Sequence, residues 1–163
     1  MARLNSIKCL KNMDAQKTHE LLVLGVFEGS KPNFKNSCSK DLSESISEKM
    51  DLDSFKGKDS KMLSGYGDKD IKRWLLVGFG DKKSFSSDKL RAVAANIVSY
   101  ANKNNLKSIS LDAKSLGLSN SENLQALCEG MVLGSYEFLD CILRIYLIFR
   151  LLLRSMRPSK PTL

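Results

Sequence analysis

The residues of this chain that could do chemistry are few and lie far apart. Its single histidine, His19, stands in the polar stretch "DAQKTHELL". A metal site or an activated nucleophile needs several ligand or base side chains at defined spacing, and no second histidine or cysteine pair lies near His19 in sequence. We therefore interpret His19 as an exposed loop residue.

The cysteines do not form a recognisable motif. There are four, at Cys9, Cys38, Cys128 and Cys141, and no two of them have the close spacing of a zinc or redox site. The basic N-terminal segment lacks the apolar stretch of a secretory signal. These observations predict a reduced, cytoplasmic setting. Cys128 falls on the apolar face of a predicted helix, and we interpret it as a small buried side chain.

The carboxylates show no arrangement suited to acid–base or metal chemistry. In "GKDSK" and "GDKDIKR" they stand beside lysines, which is typical of a solvated surface. Trp74, beside Arg73 at the start of a predicted strand, is interpreted as a core or interface residue and not as a platform for stacking bases. The sequence therefore predicts no catalytic residue and no metal ligand, and it identifies no cofactor-binding residue.

One glycine-containing segment could bind phosphate. "LLVGFGDKKSF" places Gly78 and Gly80 at the end of a predicted strand and before a helix, where backbone N–H groups can surround a phosphate. The third glycine of a dinucleotide motif is replaced by Lys83, and the loop is long. We interpret both glycines as serving backbone geometry or close packing, with phosphate binding as the weaker alternative.

The elements that would position these residues can be read from apolar patterns. Continuous apolar runs over 20–31 and 72–80 predict two buried strands. A one-face apolar stripe from Leu90 to Ala101 predicts a helix that begins after Ser86 or Ser87 and ends near Asn104.

With the alternating segment 106–112, this helix completes a strand–helix–strand unit over 73–112, whose strands we expect to be parallel. The segment "KMLSGY" predicts a short strand in a hairpin, "SKDLSESISEKM" a short helix and residues 121–137 a last helix. This order predicts an α/β fold: a three-layer domain with a mixed, mostly parallel sheet and helices on both faces.

The chain divides into one domain and a tail. Its 163 residues suffice for one ordinary domain, and the composition changes abruptly after Phe138. We therefore predict a domain over 1–138 and an apolar and basic tail over 139–163. The tail holds five basic residues against one acid, which is half of the net charge of +8. In the rest of the chain a modest positive charge is spread with both signs interspersed, and this pattern does not indicate a nucleic-acid surface.

Several stretches, in order and at similar intervals, resemble the N-terminal domain of the leucyl (cytosol) aminopeptidase family. They are "LLVLGVFEG", "DSFKGK", the segment from "RWLLVGFGDKK" to "SISLD", and "LCEGMVLGSYEF". The resemblance covers roughly residues 20–138. Its most specific part is the closing motif, formed by Glu129-Gly130, Leu133-Gly134, Tyr136 and Phe138.

The resemblance implies a macro-domain type of fold and a non-catalytic role. In the family, a larger C-terminal domain holds two divalent metals, zinc or manganese, and removes N-terminal residues from peptides, while the N-terminal domain contributes to subunit contacts in a hexamer. No catalytic residue of the family can be assigned to a position in this chain. We therefore expect a truncated homologue without peptidase activity of its own, which associates with itself or with full-length subunits.

Two other functions stay open at this point. The fold type and the loop after Gly80 allow a nucleotide- or ADP-ribose-binding module. The basic tail allows contact with an anionic membrane or with nucleic acid, although the sequence favours neither.

The tail itself has three interpretations. The run from Leu139 to Leu153 would form a helix of about 22 Å, shorter than the ~30 Å hydrocarbon core of a bilayer, and it contains charged residues. A helix lying at a membrane interface fits it better. We favour a third interpretation, a non-native end produced by a frameshift, a retained intron or a gene-model error, because the composition changes where the family sequence should continue.

Overall fold

The structure, a computed structural model, describes residues 3–10, 19–32, 34–135 and 142–148, with side chains placed in 19–32 and 34–135. The elements run in the order β1 (Arg3–Leu10), β2 (His19–Val26), α1 (Lys40–Leu52), β3 (Met62–Tyr66), β4 (Ile71–Gly78), a 3-10 turn (Lys82–Ser84), α2 (Ser87–Lys103), β5 (Ser108–Asp112), α3 (Ser121–Ser135) and β6 (Ile142–Ile148).

The described strands form one six-stranded sheet in the order β1-β6-β5-β2-β4-β3. Strand β2 lies between β4 and β5 and is parallel to both. Strands β6 and β1 extend the parallel arrangement, and only β3 runs antiparallel, along β4. The predicted mixed, mostly parallel sheet and the parallel strands of the strand–helix–strand unit are confirmed.

Helices cover both faces of the sheet. On one face α2 and α3 pack over a buried apolar cluster that includes Leu21 and Val77. On the other face α1 packs over a second cluster that includes Leu24, Ile46 and Trp74. Because side chains alternate along a strand, the continuous apolar runs supply both clusters, as expected for strands buried on both sides. The three-layer prediction and the core position of Trp74 are confirmed.

The helix boundaries follow from local sequence. Ser39 and Ser86 cap α1 and α2, and each side-chain oxygen accepts a hydrogen bond from a backbone N–H of the first turn. Such caps satisfy donors that have no partner within the helix. Helix α2 ends at Lys103, with Asn104 as its C-cap, close to the end that the sequence predicts.

The sheet includes two strands that the sequence analysis did not predict. Strand β1 comes from the N-terminal segment, and β6 comes from 142–148, which we expected to lie in a tail outside the domain and considered as a helix. In the structure β6 pairs with β5 on one side and with β1 on the other. The run is rich in isoleucine, leucine and tyrosine, which suit a strand as well as a helix, and parallel neighbours on both sides provide its hydrogen bonds. The parts of the expected tail at 139–141 and 149–163 lie outside the described residues.

Candidate functional site

A cleft opens where β2 and β5 end. The two strands are adjacent and parallel, but α1 follows β2 onto one face of the sheet while α3 follows β5 onto the other. The two connections therefore separate above the sheet and leave a crevice between them. In open α/β sheets such switch points are the usual place for a ligand.

The cleft has a volume of about 400 Å³, within the ~300–1,000 Å³ range of small-molecule sites. Its walls come from the ends of three strands and the connections that follow them: residues within 25–32 and 34–37 for β2, Lys82 for β4, and residues within 112–115 for β5. The sequence analysis named none of these as site residues. The rule that ligands bind at the carboxyl ends of parallel strands, applied to the two predicted buried strands, would have indicated the first two connections.

Hydrogen bonds between the β2 and β5 connections fix one wall of the cleft. The Ser37 hydroxyl donates to the Asp112 carboxylate, with 2.7 Å between the oxygens. The Ser115 hydroxyl donates to the Asp112 carbonyl and accepts from the Gly25 N–H at 3.0 Å. A Cβ at Gly25 would lie 2.4 Å from the Ser115 carbonyl oxygen, so only glycine allows this approach. Asp112 is thus held in a defined position at the cleft.

The rim of the cleft is basic. Lys82 and Lys114 line it with exposed side chains. Among the described residues neither ammonium group forms an ion pair, whereas other lysines of the domain pair with carboxylates, as Lys72 does with Glu20 at 2.7 Å. The rim can therefore contribute two positive charges to an anionic ligand.

Three phenylalanines support the cleft. Phe27 lines it, and its ring centroid lies 5.3 Å from those of Phe79 and Phe85. Phe79 and Phe85 are themselves in edge-to-face contact. Aromatic rings at such distances and angles stabilise one another, so Phe27 presents a ring held by its neighbours.

The prediction for His19 was wrong. His19 is the first residue of β2 and is buried, with 2% of its surface exposed. Its Nδ1 forms a hydrogen bond with the hydroxyl of Ser110, a fully buried residue of β5. The polar residues before His19 suggested a loop, but the partner that makes its burial tolerable lies in a different strand. Since both side chains are shielded from solvent, they form a structural pair.

The two cysteines whose side chains are placed, Cys38 and Cys128, are half-buried. For Cys128 the structure gives less burial than the sequence analysis expected. Burial, together with the nearby Asp68 and Asp112 carboxylates, raises the pKa of the Cys38 thiol to about 11. A nucleophilic cysteine requires a lowered pKa, so Cys38 is not an activated thiol.

Glycines in two of the quoted motifs bring backbones together. Gly57, from "DSFKGK", accepts a hydrogen bond at its carbonyl from the Gly80 N–H at 2.9 Å. A Cβ at Gly78 would lie 2.0 Å from the Lys58 carbonyl oxygen, and Gly80 has a φ of +68°. The prediction that Gly78 and Gly80 serve geometry and packing is confirmed. The two motifs are separated in sequence, but in the fold they form the two sides of one backbone contact.

The described part of the closing motif joins α3 to α2. A Cβ at Gly130 would lie 2.3 Å from the Arg91 carbonyl oxygen, and one at Gly134 would lie 2.7 Å from the Cα of Ala95. The Arg91 guanidinium bonds the Glu129 carboxylate at 2.8 Å and lowers the pKa of that carboxyl. This motif therefore serves close helix packing. Tyr136 and Phe138 lie outside the described residues.

The second half of α3 also carries apolar residues away from the core. Leu133 is 63% exposed, and Cys128 and Val132 are half-buried. By contrast α1, whose only large exposed apolar side chain is Leu52 at its last residue, presents mainly charged and hydroxyl groups to solvent. A helix that is apolar on more than one face usually has more than one packing partner.

The described residues contain no group of three or more histidine, cysteine, aspartate or glutamate side chains that could hold a metal ion. A two-metal hydrolase needs several such ligands around ions about 3.5 to 4 Å apart. The described part of the chain does not fit the metal pair that the resemblance implies for the family's catalytic domain. Nor does any helix in this part combine the length and apolar character needed to cross a membrane.

Comparisons with known proteins give a consistent result. The family model for the N-terminal domain of the cytosol aminopeptidase family matches residues 23–141. Probable cytosol aminopeptidases of Alkaliphilus oremlandii and of a Sulfurihydrogenibium species are 28% and 31% identical to this chain. The alignments cover 81% and 78% of this chain but only 28% and 26% of those proteins. The chain thus spans about a quarter of the length of the curated relatives it matches.

Solved structures show the same fold. A tomato leucine aminopeptidase variant superposes with a TM-score of 0.65 at 18% identity, covering 91% of this chain and 33% of that one. A macrodomain variant of Oceanobacillus iheyensis superposes with a TM-score of 0.64 at 12% identity, covering 90% and 87%. The predicted macro-domain type of fold is confirmed.

Proposed function

Because this chain belongs to the cytosol aminopeptidase family, of which it carries the N-terminal domain, we propose that it associates with aminopeptidase subunits, including further copies of itself, and hydrolyses no peptide on its own. The occupant of its docking surface is another subunit of the same family. The observation that carries this proposal is the exposed Leu133 of α3, with the half-buried Val132 and Cys128 on the same half of that helix.

The chemistry of these residues suits a protein partner. Cys128 and Val132, four residues apart, share one face of the helix. Exposed Leu133 lies about 100° further around the helix axis, with exposed Gln125 and half-buried Glu129 between it and Val132. Aliphatic and thiol groups gain free energy when they leave water, and exposed apolar patches on soluble domains commonly mark protein contacts. Since the α3 motif is part of the family resemblance, a subunit of that family is the partner the surface fits best.

Association can be measured by analytical ultracentrifugation of the purified chain, alone and mixed with a full-length cytosol aminopeptidase from the same genome. We expect a larger species in at least one of these samples, and Leu133→Lys should remove it by placing a charge in the contact. Leu52→Lys is the matched control, because Leu52 is 84% exposed on α1, across the sheet. A wild-type chain that stays monomeric in both samples would overturn the proposal.

The absence of hydrolysis is a separate expectation. With added Mn²⁺ or Zn²⁺ the purified chain should leave leucyl p-nitroanilide intact, because the described residues provide no ligand cluster for the metal ions. Metal-dependent turnover that survives further purification would refute this part of the proposal.

A further inference from the structure

We propose that the free edge of β3 binds an extended acidic peptide segment of a partner protein, which adds to the sheet as an antiparallel strand and places a carboxylate on Arg73. Strand β3 is the last strand in the sheet order and has β4 on one side only. The edge shares no residue with α3, so binding here does not depend on the proposed association of subunits.

The ladder between β3 and β4 fixes which backbone groups lie on the free edge. At one end of the ladder the Gly67 N–H donates to the Lys72 carbonyl. At the other end the Gly78 N–H donates to the Lys61 carbonyl. The register between the two strands is continuous, and successive residues of an antiparallel pair point toward the partner strand and away from it in turn. The odd-numbered residues of 61–67 therefore face β4.

The even-numbered residues, Met62, Ser64 and Tyr66, direct their N–H and C=O groups away from the sheet. In the part of the chain that the structure describes, no strand lies on this side to bond them. Strand β3 contains no proline and no charged residue, two of the features that usually protect an edge from pairing. An extended chain can therefore form two backbone hydrogen bonds with each of these residues, as peptides do when they add to a sheet edge.

An arginine held beside this edge gives the site its charge. Tyr66 is 79% exposed and lies opposite Arg73 in the register, with the guanidinium 5.0 Å from the centre of the Tyr66 ring. The Arg73 Nη1 donates to the Asn104 Oδ1 at 2.9 Å. The Asn104 amide is itself held, because its Nδ2 donates to the Tyr100 carbonyl. The guanidinium is thus fixed in position before a ligand binds.

The chemistry of Arg73 identifies the acidic residue of the peptide. The salt bridges among the described residues use other cations, while Arg73 bonds the neutral Asn104 amide. A guanidinium has five N–H donors, and the two oxygens of a carboxylate match their fork. Opposite residues of an antiparallel pair share one face of the sheet, so a Glu opposite Tyr66 can reach the guanidinium across the ring.

A second copy of this chain fits the edge less well. Pairing of two β3 strands through their outward groups would place Met62, Ser64 or Tyr66 opposite Tyr66. None of these side chains carries a charge, so Arg73 would gain no partner. An acidic segment of another protein uses both the backbone groups and the guanidinium.

NMR of the ¹⁵N-labelled full chain tests the proposal with the peptide acetyl-Glu-Thr-Thr-Val-Val-amide, whose first residue would lie opposite Tyr66. We expect saturable shifts and slower hydrogen exchange at the outward amides of Met62, Ser64 and Tyr66, with smaller changes at Leu63 and Gly65. The same peptide with Gln in place of Glu should bind about tenfold more weakly, because it loses a charge-assisted pair.

Three variants assign the binding to the edge. Arg73→Gln should weaken binding of the Glu peptide about tenfold and leave binding of the Gln peptide unchanged, a difference that a merely structural role would not produce. Lys69→Gln is the matched control, because it removes an exposed cation from the turn after β3. Ser64→Pro removes one outward N–H and should weaken both peptides, and proline is tolerated where the N–H faces away from the sheet. Thermal melting shows whether each variant keeps its fold.

Absence of shifts at the three outward amides with millimolar peptide would overturn the proposal, and so would equal binding of the Glu and Gln peptides. If the chain associates with itself, and Ser64→Pro removes that association while Leu133→Lys leaves it, a second copy occupies the edge and the peptide assignment is wrong. These readouts follow the peptide at β3, so they are distinct from the sedimentation result that tests the α3 surface.

Discussion

Burial sets the chemistry of Cys38. Its Sγ lies 3.5 Å from the Phe34 carbonyl oxygen, and burial, with the charges of Asp68 and Asp112, raises the thiol pKa to about 11. At about pH 8 the folded chain should therefore hold about a hundredfold less Cys38 thiolate than the unfolded chain. Alkylation by iodoacetamide, followed by peptide mass spectrometry, should be slower by a similar factor in the native chain than in urea.

The pH dependence separates protonation from simple shielding. If the raised pKa is the cause, the native alkylation rate of Cys38 keeps rising with pH until about 11. A native rate that levels off near the ordinary thiol pKa would show that access to the sulfur, and not its protonation, limits the reaction.

The carboxylate of Glu20 connects three segments of the domain. It accepts hydrogen bonds from the Lys72 ammonium at 2.7 Å and from the Lys107 N–H. Burial raises the pKa of Glu20, but these hydrogen bonds and the Lys72 charge outweigh it, so the pKa lies below its ordinary value of 4.5. The stabilisation is therefore complete above about pH 4.5 and is lost as the pH falls from there through the folded-state pKa.

Glu20→Gln should lower the free energy of unfolding by about 1 kcal/mol near neutral pH. The difference from the wild type should shrink as urea-unfolding experiments move from about pH 7 to about pH 4 and below. Glu48→Gln, on the exposed side of α1, provides a control for general charge effects. A Glu20→Gln difference that stays constant over this range would contradict the assignment.

At the scale of elements, the contact between α2 and α3 depends on two glycines. Gly130 and Gly134 lie one helical turn apart on α3, and both face the backbone of α2. A small residue at each position lets the helix axes approach more closely than ordinary side chains allow. The Arg91–Glu129 ion pair then crosses the contact at 2.8 Å.

Gly130→Ala tests this packing because helix propensity and steric overlap change the free energy of unfolding in opposite directions. Helix propensity alone would stabilise the variant by about 1 kcal/mol. The added Cβ would, however, lie 2.3 Å from the Arg91 carbonyl oxygen, and such overpacking costs about 1–3 kcal/mol. We expect net destabilisation in urea unfolding, with exposed Ala92→Gly on α2 as the control for propensity. Stabilisation by Gly130→Ala would exclude the close contact.

At the scale of the whole molecule, the sequence predicted those strands and helices whose residues carry a local apolar pattern. The apolar runs of β2 and β4 and the stripe of α2 each carry their own signal. The pairing of Arg3 with Ile142 has no local signal, because the two strands come from opposite ends of the chain. The prediction for His19 was wrong for the same reason, because the residue that hydrogen-bonds it, Ser110, lies 91 residues away in sequence. The cleft could not be predicted from local patterns either, because its walls come from residues at the ends of three strands that are far apart in sequence.

The position of β6 leads to a prediction about the domain boundary. Strand β6 lies between β5 and β1, with register pairs along its whole length on the β1 side and along all of β5. A chain that ends at residue 138 would leave β1 without its neighbour and would expose the edge of β5, and unpaired edges promote aggregation. A chain that ends at residue 148 would keep every described strand.

We expect residues 1–148 to unfold cooperatively with a melting temperature close to that of the whole chain. Residues 1–138, the domain predicted from composition, should melt at a clearly lower temperature or aggregate, because the lost strand bonds two neighbours and its absence costs several kcal/mol of the ~5–15 kcal/mol that stabilise a typical domain. Calorimetry and light scattering on the two truncations decide between the boundaries. Equal melting temperatures for 1–138 and 1–148 would show that the domain ends near Phe138 and that β6 contributes nothing to its stability.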